Sequence, residues 1–232
     1  MEELARGVAE ALRMLLAFDP EIYEIVGLSL RVSLSSVLFS TLLGVPLGVL
    51  YGLHQFPGKN LLIRITYTLM SLPPVIAGLV VFLFIMRKGP LGFLRLSFTP
   101  TAMIIAQICL VTPIIVGLTY NAVKEKAPRV KQLAATLGAG RGEAVKLLIF
   151  EVRTGILAAL VTGTGRAISE VGAVMLVGGN IVGKTRVMTT YIAQLQRMGN
   201  YDRAIAVGIV LLLIAFLLNA VLYQMQERQG RA

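Results

Sequence analysis

Along this chain the apolar residues run in long blocks rather than alternating with polar ones. A helix needs about 20 apolar residues to cross the hydrocarbon core of a bilayer. Five stretches reach that length: residues 25–53, 61–86, 100–122, 154–177 and 204–223. The beginning of the chain reads differently. Glu2, Glu3, Arg6, Glu10, Arg13 and Asp19 are interleaved at helical spacing with Leu4, Val8, Leu12, Leu15 and Leu16. That spacing predicts an amphipathic surface helix over residues 1–21, neither a sixth span nor a cleavable signal. The pattern as a whole predicts an all-α membrane protein: five transmembrane helices behind an N-terminal amphipathic helix, in a single domain over residues 1–232.

Composition agrees. Of 232 residues, 56% are hydrophobic and 15% charged, against about a quarter charged in a soluble domain. One cysteine, Cys109, and one histidine, His54, exclude a disulfide framework and a Cys/His metal cluster. No metal and no cofactor is expected. The net charge of +10 would suggest nucleic acid in a soluble protein, but here the basic residues lie between apolar blocks, where they set orientation. Residues 122–153 carry Lys124, Lys126, Arg129, Lys131, Arg141, Lys146 and Arg153 against Glu125, Glu143 and Glu151. This segment is therefore placed in the cytoplasm of a cell (inner) membrane protein. Five spans then leave the N-terminus outside and the C-terminus inside. Arg87, Lys88, Arg95, Lys184, Arg186, Arg197 and Arg203 fall on the outer side. They would form a positive vestibule for an anion, or contacts to lipid phosphates or to an acidic partner.

Within the bilayer, helices approach closely where side chains are small. Ser36, Ser40, Gly44, Gly48 and Gly52 recur every fourth position of the first span, and Gly155, Ala159, Gly163 and Ala167 do so in the fourth. Both stripes are read as packing faces. Pro73 and Pro74 interrupt the second span and Pro113 the third, as breaks or as simple kinks. Arg166 and Glu170 are four apart on one helical face, with Arg166 roughly 18 Å along the helix from Thr154. Two readings stand: an ion pair that locks the bundle, or, with Ser169, a lining of the translocation path in which Arg166 meets an anion. Gly178-Gly-Asn-Ile-Val-Gly183-Lys184-Thr185 matches the phosphate-loop pattern, but that motif works only between a strand and a helix. Here it follows an apolar helical block, so the match is set aside.

Residues 122–153 are too polar to span and too long for a plain connector. From Gln132 through Leu133, Ala134 and Ala135 to Gly138, Ala139 and Gly140, then on to Phe150, they read as helix, glycine turn, helix. Here the chain resembles the permease subunits of ATP-binding-cassette importers, whose Glu-Ala-Ala-x-x-x-Gly loop docks into a cleft of the ATPase subunit. Anchored on Gly138, this sequence keeps one alanine and the glycine. Gln132 stands in the leading glutamate position, and Glu151 stands where the family has a trailing proline. Gly165-Arg166-Ala167-Ile168-Ser169-Glu170-Val171-Gly172-Ala173, running into Val177-Gly178-Gly179-Asn180-Ile181, looks like the stretch shared by molybdate, tungstate and sulfate permeases. It is most similar to the tungstate-uptake permeases. With Pro46 to Gly48 and Leu72-Pro73-Pro74, the resemblance covers nearly the whole chain. It implies the type I importer permease fold, a permease homodimer, two ATPase subunits and an external substrate-binding protein, with tungstate as cargo and molybdate or sulfate as alternatives.

Two readings from other classes stand beside it. An intramembrane enzyme would need a base oriented by a third group, and Ser169 beside Glu170 offers none. A structural membrane scaffold needs no transport at all. ATP-dependent anion uptake separates the three.

Overall fold

Prolines and short oxygen-bearing side chains set where several helices begin. Pro20, Pro74 and Pro100 occupy first helical positions, where the missing N–H has no partner to lose. Asp19 accepts the N–H of Glu21 through Oδ1 at 3.0 Å, and Thr99 Oγ1 accepts that of Ala102 at 3.3 Å. The structure, a computed structural model, describes residues 7, 8, 10, 11, 13 and 19–231. From Pro20 onward the helices are α1 (Pro20–Leu53), α2 (Lys59–Met70), α3 (Pro74–Ile85), α4 (Pro100–Thr136), α5 (Arg141–Ile168), α6 (Gly172–Gly178), α7 (Met188–Arg197) and α8 (Tyr201–Arg231), with a 3₁₀ turn at Gly92–Leu94. No strand occurs among the described residues. The expected amphipathic helix over 1–21 falls mostly outside them.

Three helices, α1, α4 and α8, are long and apolar enough to cross a membrane. The second expected span is not one straight helix. Prolines 73 and 74 divide it into α2 and α3, 12 residues each, bent by 104°. At about 1.5 Å per residue neither half crosses alone. Among the described residues, the helices that pass this length-and-composition test make three spans, or four if the bent pair is one. The stretch expected over 154–177 also differs: its helix stops at Ile168 and resumes at Gly172. Pro113, by contrast, does not interrupt α4, which runs unbroken for 37 residues. Residues 122–153 are not a pair of separate short helices either. They are the end of α4, a turn, and the start of α5.

Helix α4 is the spine. A Cβ on Gly44 would lie 2.9 Å from Ile115 and one on Gly48 2.6 Å from Thr119, while one on Gly52 would run into Val123. From the other side, a Cβ on Gly155 would meet Ala122 at 2.5 Å and one on Gly163 Val111 at 3.1 Å, with Ala159 fully buried between them. Two helices thus pack backbone-close on α4 through small residues. Apolar clusters fill the remaining space. Val32, Val81, Met103 and Val174 join α1, α3, α4 and α6. Ile22, Ile25, Met188, Tyr191 and Val207 join α1, α7 and α8.

Polar contacts sort the helix ends into two groups. Lys59 Nζ donates to the His54 carbonyl at 3.0 Å, and Lys131 Nζ to that of Leu53 at 3.3 Å. The 54–58 connection therefore sits beside the far part of α4. At the opposite end Arg186 and Arg203 reach Glu21, and the N–H of Phe98 donates to Val177 O at 3.0 Å. Gly48→Val is expected to destabilise the bundle by about 1–3 kcal/mol through overpacking. Gly27→Val, in the same helix with nothing within 4 Å of its Cβ position, should change stability by no more than about 0.5 kcal/mol. Thermal denaturation in detergent measures both. Equal shifts would show that the stripe does not set the α1–α4 approach.

Candidate functional site

Helix α5 ends inside the bundle, and the residues around its end are mostly polar. Ser169 turns its hydroxyl back onto the carbonyls of Gly165 (2.8 Å) and Arg166 (3.3 Å). Its own N–H donates to Gly165 O at 3.2 Å. Glu170 follows, outside the helix and buried. One carboxylate oxygen accepts the N–H of Ala173 at 3.0 Å, in the first turn of α6. The other lies 3.4 Å from an Arg166 nitrogen. Negative charge there favours a helix N-terminus. The predicted pair of Arg166 and Glu170 exists, but across a helix break rather than along one continuous face.

Freed backbone groups find partners from three neighbouring helices. The Ala167 carbonyl accepts from Gln107 Nε2 at 3.0 Å and from Ser33 Oγ at 3.3 Å. The Glu170 carbonyl accepts from Thr189 Oγ1 at 2.8 Å. Ser36 Oγ lies 2.7 Å from Gln107 Oε1 and 2.8 Å from Ser33 O, with one proton to give. Ser33, Ser36, Gln107 and Glu170 are all buried. The cavity beside them, lined also by Ser29 and Thr189, holds about 10 Å³. That is room for roughly one water and not for a tetrahedral oxyanion. Ser33, Gln107, Glu170 and Thr189 thus each bond a backbone group freed at the break.

Gln107 was missed by sequence reasoning. The signal was present: a side-chain amide inside an otherwise apolar block, which in a membrane is expected to face protein.

The phosphate-loop match closes on itself. Thr185 is fully buried; its hydroxyl donates to Gly178 O at 2.6 Å and accepts the Ile181 N–H at 2.9 Å. Asn180 bonds Gln194 and Thr190. The element before it is α6, not a strand.

The basic residues expected on the outer side separate into two kinds. Arg186 lies 3.2 Å from Glu21; Arg203 lies 3.1 Å from Glu21 and 3.8 Å from Asp19. Both guanidinium groups stand over the Tyr191 ring, at 4.9 and 5.8 Å. Burial pushes the Tyr191 hydroxyl up from its ordinary pKa, so it stays neutral and two arginines balance two carboxylates. The expectation that Arg186 and Arg203 contribute free positive charge to a vestibule is corrected: both are neutralised. Arg87 and Arg95 have no carboxylate within ion-pair distance among the described residues.

At the other end, the turn after α4 has a defined geometry. Gly138 takes φ +67°. Its N–H donates to Ala135 O at 3.3 Å, and the Ala139 N–H to Ala134 O at 2.9 Å. These are the paired bonds of a glycine-terminated helix. The N–H of Gly140, which opens α5, donates to Glu143 Oε2 at 2.9 Å. Ala134 is buried, Gln132 and Ala135 exposed, and Leu133 and Leu137 are 48% and 72% exposed. Two leucines in water at a helix end form a surface of their own.

A bundle of proline-started apolar helices, with a broken helix braced by buried amide and hydroxyl groups, has counterparts among known proteins. A model of binding-protein-dependent transport system inner membrane components matches residues 44–232. Over 227 residues the chain is 48% identical to the tungstate uptake system permease protein TupB of Peptoclostridium acidaminophilum, covering 98% of this chain and 100% of that one. It is 30% identical over 224 residues to the sulfate transport system permease protein CysW of Synechococcus elongatus, covering 92% and 78% respectively. Among solved structures, a chain of the inward-facing MetNI methionine ABC transporter superposes with a TM-score of 0.66 at 18% identity, covering 93% of this chain and 97% of that one. That likeness carries the fold, the type I importer permease fold. The chain belongs to the family of binding-protein-dependent transport system inner membrane components.

Proposed function

We propose that this chain is the permease subunit of an ATP-driven importer of tungstate. The observation that carries this reading is 48% identity over the full length of a tungstate uptake permease. Sulfate is the second reading, favoured by the 30% identity to a sulfate permease, and molybdate shares the same tetrahedral dianion chemistry. The subunit is not itself an enzyme; ATP hydrolysis belongs to its partner. The assembly in this reading is a permease homodimer in the bilayer with two ATPase subunits and an external substrate-binding protein.

The turn at Gln132, Leu133, Ala134, Ala135, Gly138, Ala139 and Gly140 is the surface that engages the ATPase. Support comes from the exposed Leu133 and Leu137 and from the fixed backbone of Gly138. Five crossings, with the N-terminus outside and the C-terminus in the cytoplasm, fit the grouping of helix ends. Residues 54–59 and 122–153 share one end, and 19–21, 86–99 and 177–203 the other. Arg166, Ser169 and Glu170 act as a brace rather than as the path, because both oxygens of Glu170 are engaged and the Ser169 hydroxyl is turned onto the carbonyls of Gly165 and Arg166.

Reconstituted with its ATPase and binding protein, the permease should take up tungstate on ATP addition, in preference to sulfate and molybdate. No ATP-dependent uptake of any of the three would reject the proposal. In the same assay Gly138→Phe, which places a bulky side chain at positive φ at a cost of about 1–2 kcal/mol, should lower ATPase association and uptake while leaving the permease inserted. Undiminished coupling would remove this turn from the contact surface. For sidedness, in a Cys109→Ser background an impermeant thiol reagent should reach Pro90→Cys and Lys184→Cys from outside. It should reach Arg129→Cys only after permeabilisation, and the converse result inverts the topology. For the brace, Glu170→Ala should cost about 1–2 kcal/mol, as the loss of a helix cap does. Arg166→Ala should cost less than about 1 kcal/mol because the arginine is partly hydrated. Uptake lost in Arg166→Ala at unchanged thermal stability would restore the path reading.

A further inference from the structure

At the outer group of helix ends, the connection between α3 and α4 is folded tightly. The Leu91 N–H donates to Phe84 O at 2.8 Å, Gly89 N–H to Met86 O at 2.7 Å and Gly92 N–H to Gly89 O at 3.0 Å. Gly92 lets the turn close on itself: a Cβ there would lie 2.6 Å from the carbonyl oxygens of Met86 and Arg87. Arg95, capping the 3₁₀ turn, is held at φ +50°, a conformation uncommon for a residue with a side chain. Arg87 and Arg95, with Ile85, Gly92 and Ser97, line a cleft of about 500 Å³. Ser97 gives its hydroxyl proton to Ile85 O at 3.0 Å, so the polar donors left to a ligand are the two guanidinium groups.

The chain on either side of these lining residues is apolar and exposed. Phe93 is 76% exposed, and Leu91 and Leu94 are exposed beside it. Leu83 and Phe84, on the last turn of α3, are exposed as well. Exposed aromatic and aliphatic side chains next to unpaired arginines, at the end of an apolar helix, match the headgroup zone of a bilayer: hydrocarbon on one side, phosphate on the other. Guanidinium is also the group that recognises a tetrahedral oxyanion through paired N–H donors.

We infer that the Arg87–Arg95 cleft binds the phosphate of an anionic membrane lipid, with an acyl chain lying along Phe93, Leu94 and the exposed end of α3. Tungstate offers the same tetrahedral oxyanion without a chain, so the test must separate lipid from cargo. The site lies apart from the helix break and from the ATPase-facing turn.

The test uses the intact permease–ATPase complex in detergent, read by native mass spectrometry. Phosphatidylglycerol is titrated, with diacylglycerol as a phosphate-free comparison and sodium tungstate as competitor. The expected result is retention of phosphatidylglycerol and not of diacylglycerol. Arg87→Ala with Arg95→Ala should weaken retention about 30-fold, the value of two surface arginines against an anionic headgroup. Arg87→Lys with Arg95→Lys, which keeps the charge and loses the planar fork, should weaken it less. Should the alanine pair fail to assemble, Arg95→Gln alone is expected to weaken retention about fivefold. Unchanged phosphatidylglycerol affinity in an assembled arginine variant overturns the site. Displacement of the lipid by tungstate alone keeps the oxyanion site but assigns it to the cargo, and so overturns the lipid assignment.

Discussion

A helix that stops inside a membrane bundle leaves backbone groups that hydrocarbon will not hydrate, and each one left alone costs several kcal/mol. The segment between Ile168 and Gly172 is such a stop, and much of the surrounding arrangement follows from serving it. The Ala167 carbonyl needs Ser33 from α1 and Gln107 from α4. The Ala173 N–H needs the Glu170 carboxylate, and the Glu170 carbonyl needs Thr189 from α7. Three of these four partners come from three different helices, and Glu170 belongs to the break itself. Each helix must therefore lie within hydrogen-bond reach of the same few ångströms of chain. Glycine on α1 facing α4, and glycine on α5 facing α4, make that approach geometrically possible.

Charge is distributed by the same logic of partnership. Glu170 is buried and fully engaged; Arg166, its partner, keeps partial contact with water. Arg186 and Arg203 close one end of the bundle by tying the start of α1 to the chain before α7 and to the start of α8. Lys131 sits on the last carbonyl of α1 and Lys59 on that of the capping His54, where positive charge favours the helix dipole. Arg87 and Arg95, by contrast, have no carboxylate within ion-pair distance among the described residues, which leaves their charge available to a ligand.

The bundle, the small-residue faces and the glycine turn at Gly138 were legible because each rests on local rules: hydrocarbon thickness, backbone approach and left-handed φ. The bend at Pro73–Pro74 was visible as an interruption but not as 104°, since proline removes a hydrogen bond without dictating the new direction. The stop at Ile168 was not legible. Gly165, Ser169 and Gly172 weaken the helix there, yet what ends it is the supply of donors from Ser33, Gln107 and Thr189, residues 19 to 134 positions away in sequence. Likewise Arg186 reads as free positive charge until folding brings Glu21 to it across 165 positions.

The glycine turn at Gly138 and the internal break are the two ends of one helix. α5 runs 28 residues from Arg141 to Ile168, about 42 Å at 1.5 Å per residue. It has no proline, and its small residues lock it along α4. A rigid rod of this kind transmits displacement with little loss, whereas a flexible connector would absorb it. In the proposed reading, the ATPase pushes at Gly138 and Gly140 and the motion arrives at Ser169 and Glu170, where the chain changes direction into α6. The break is then where rotation of the rod becomes relative movement of α6 and α3, whose contact at Gly78 and Ala173 is backbone-close. Polar side chains suit that place because hydroxyl and amide partners can exchange one hydrogen bond for another as the backbone shifts. A purely apolar break would leave its carbonyls bare at the first displacement.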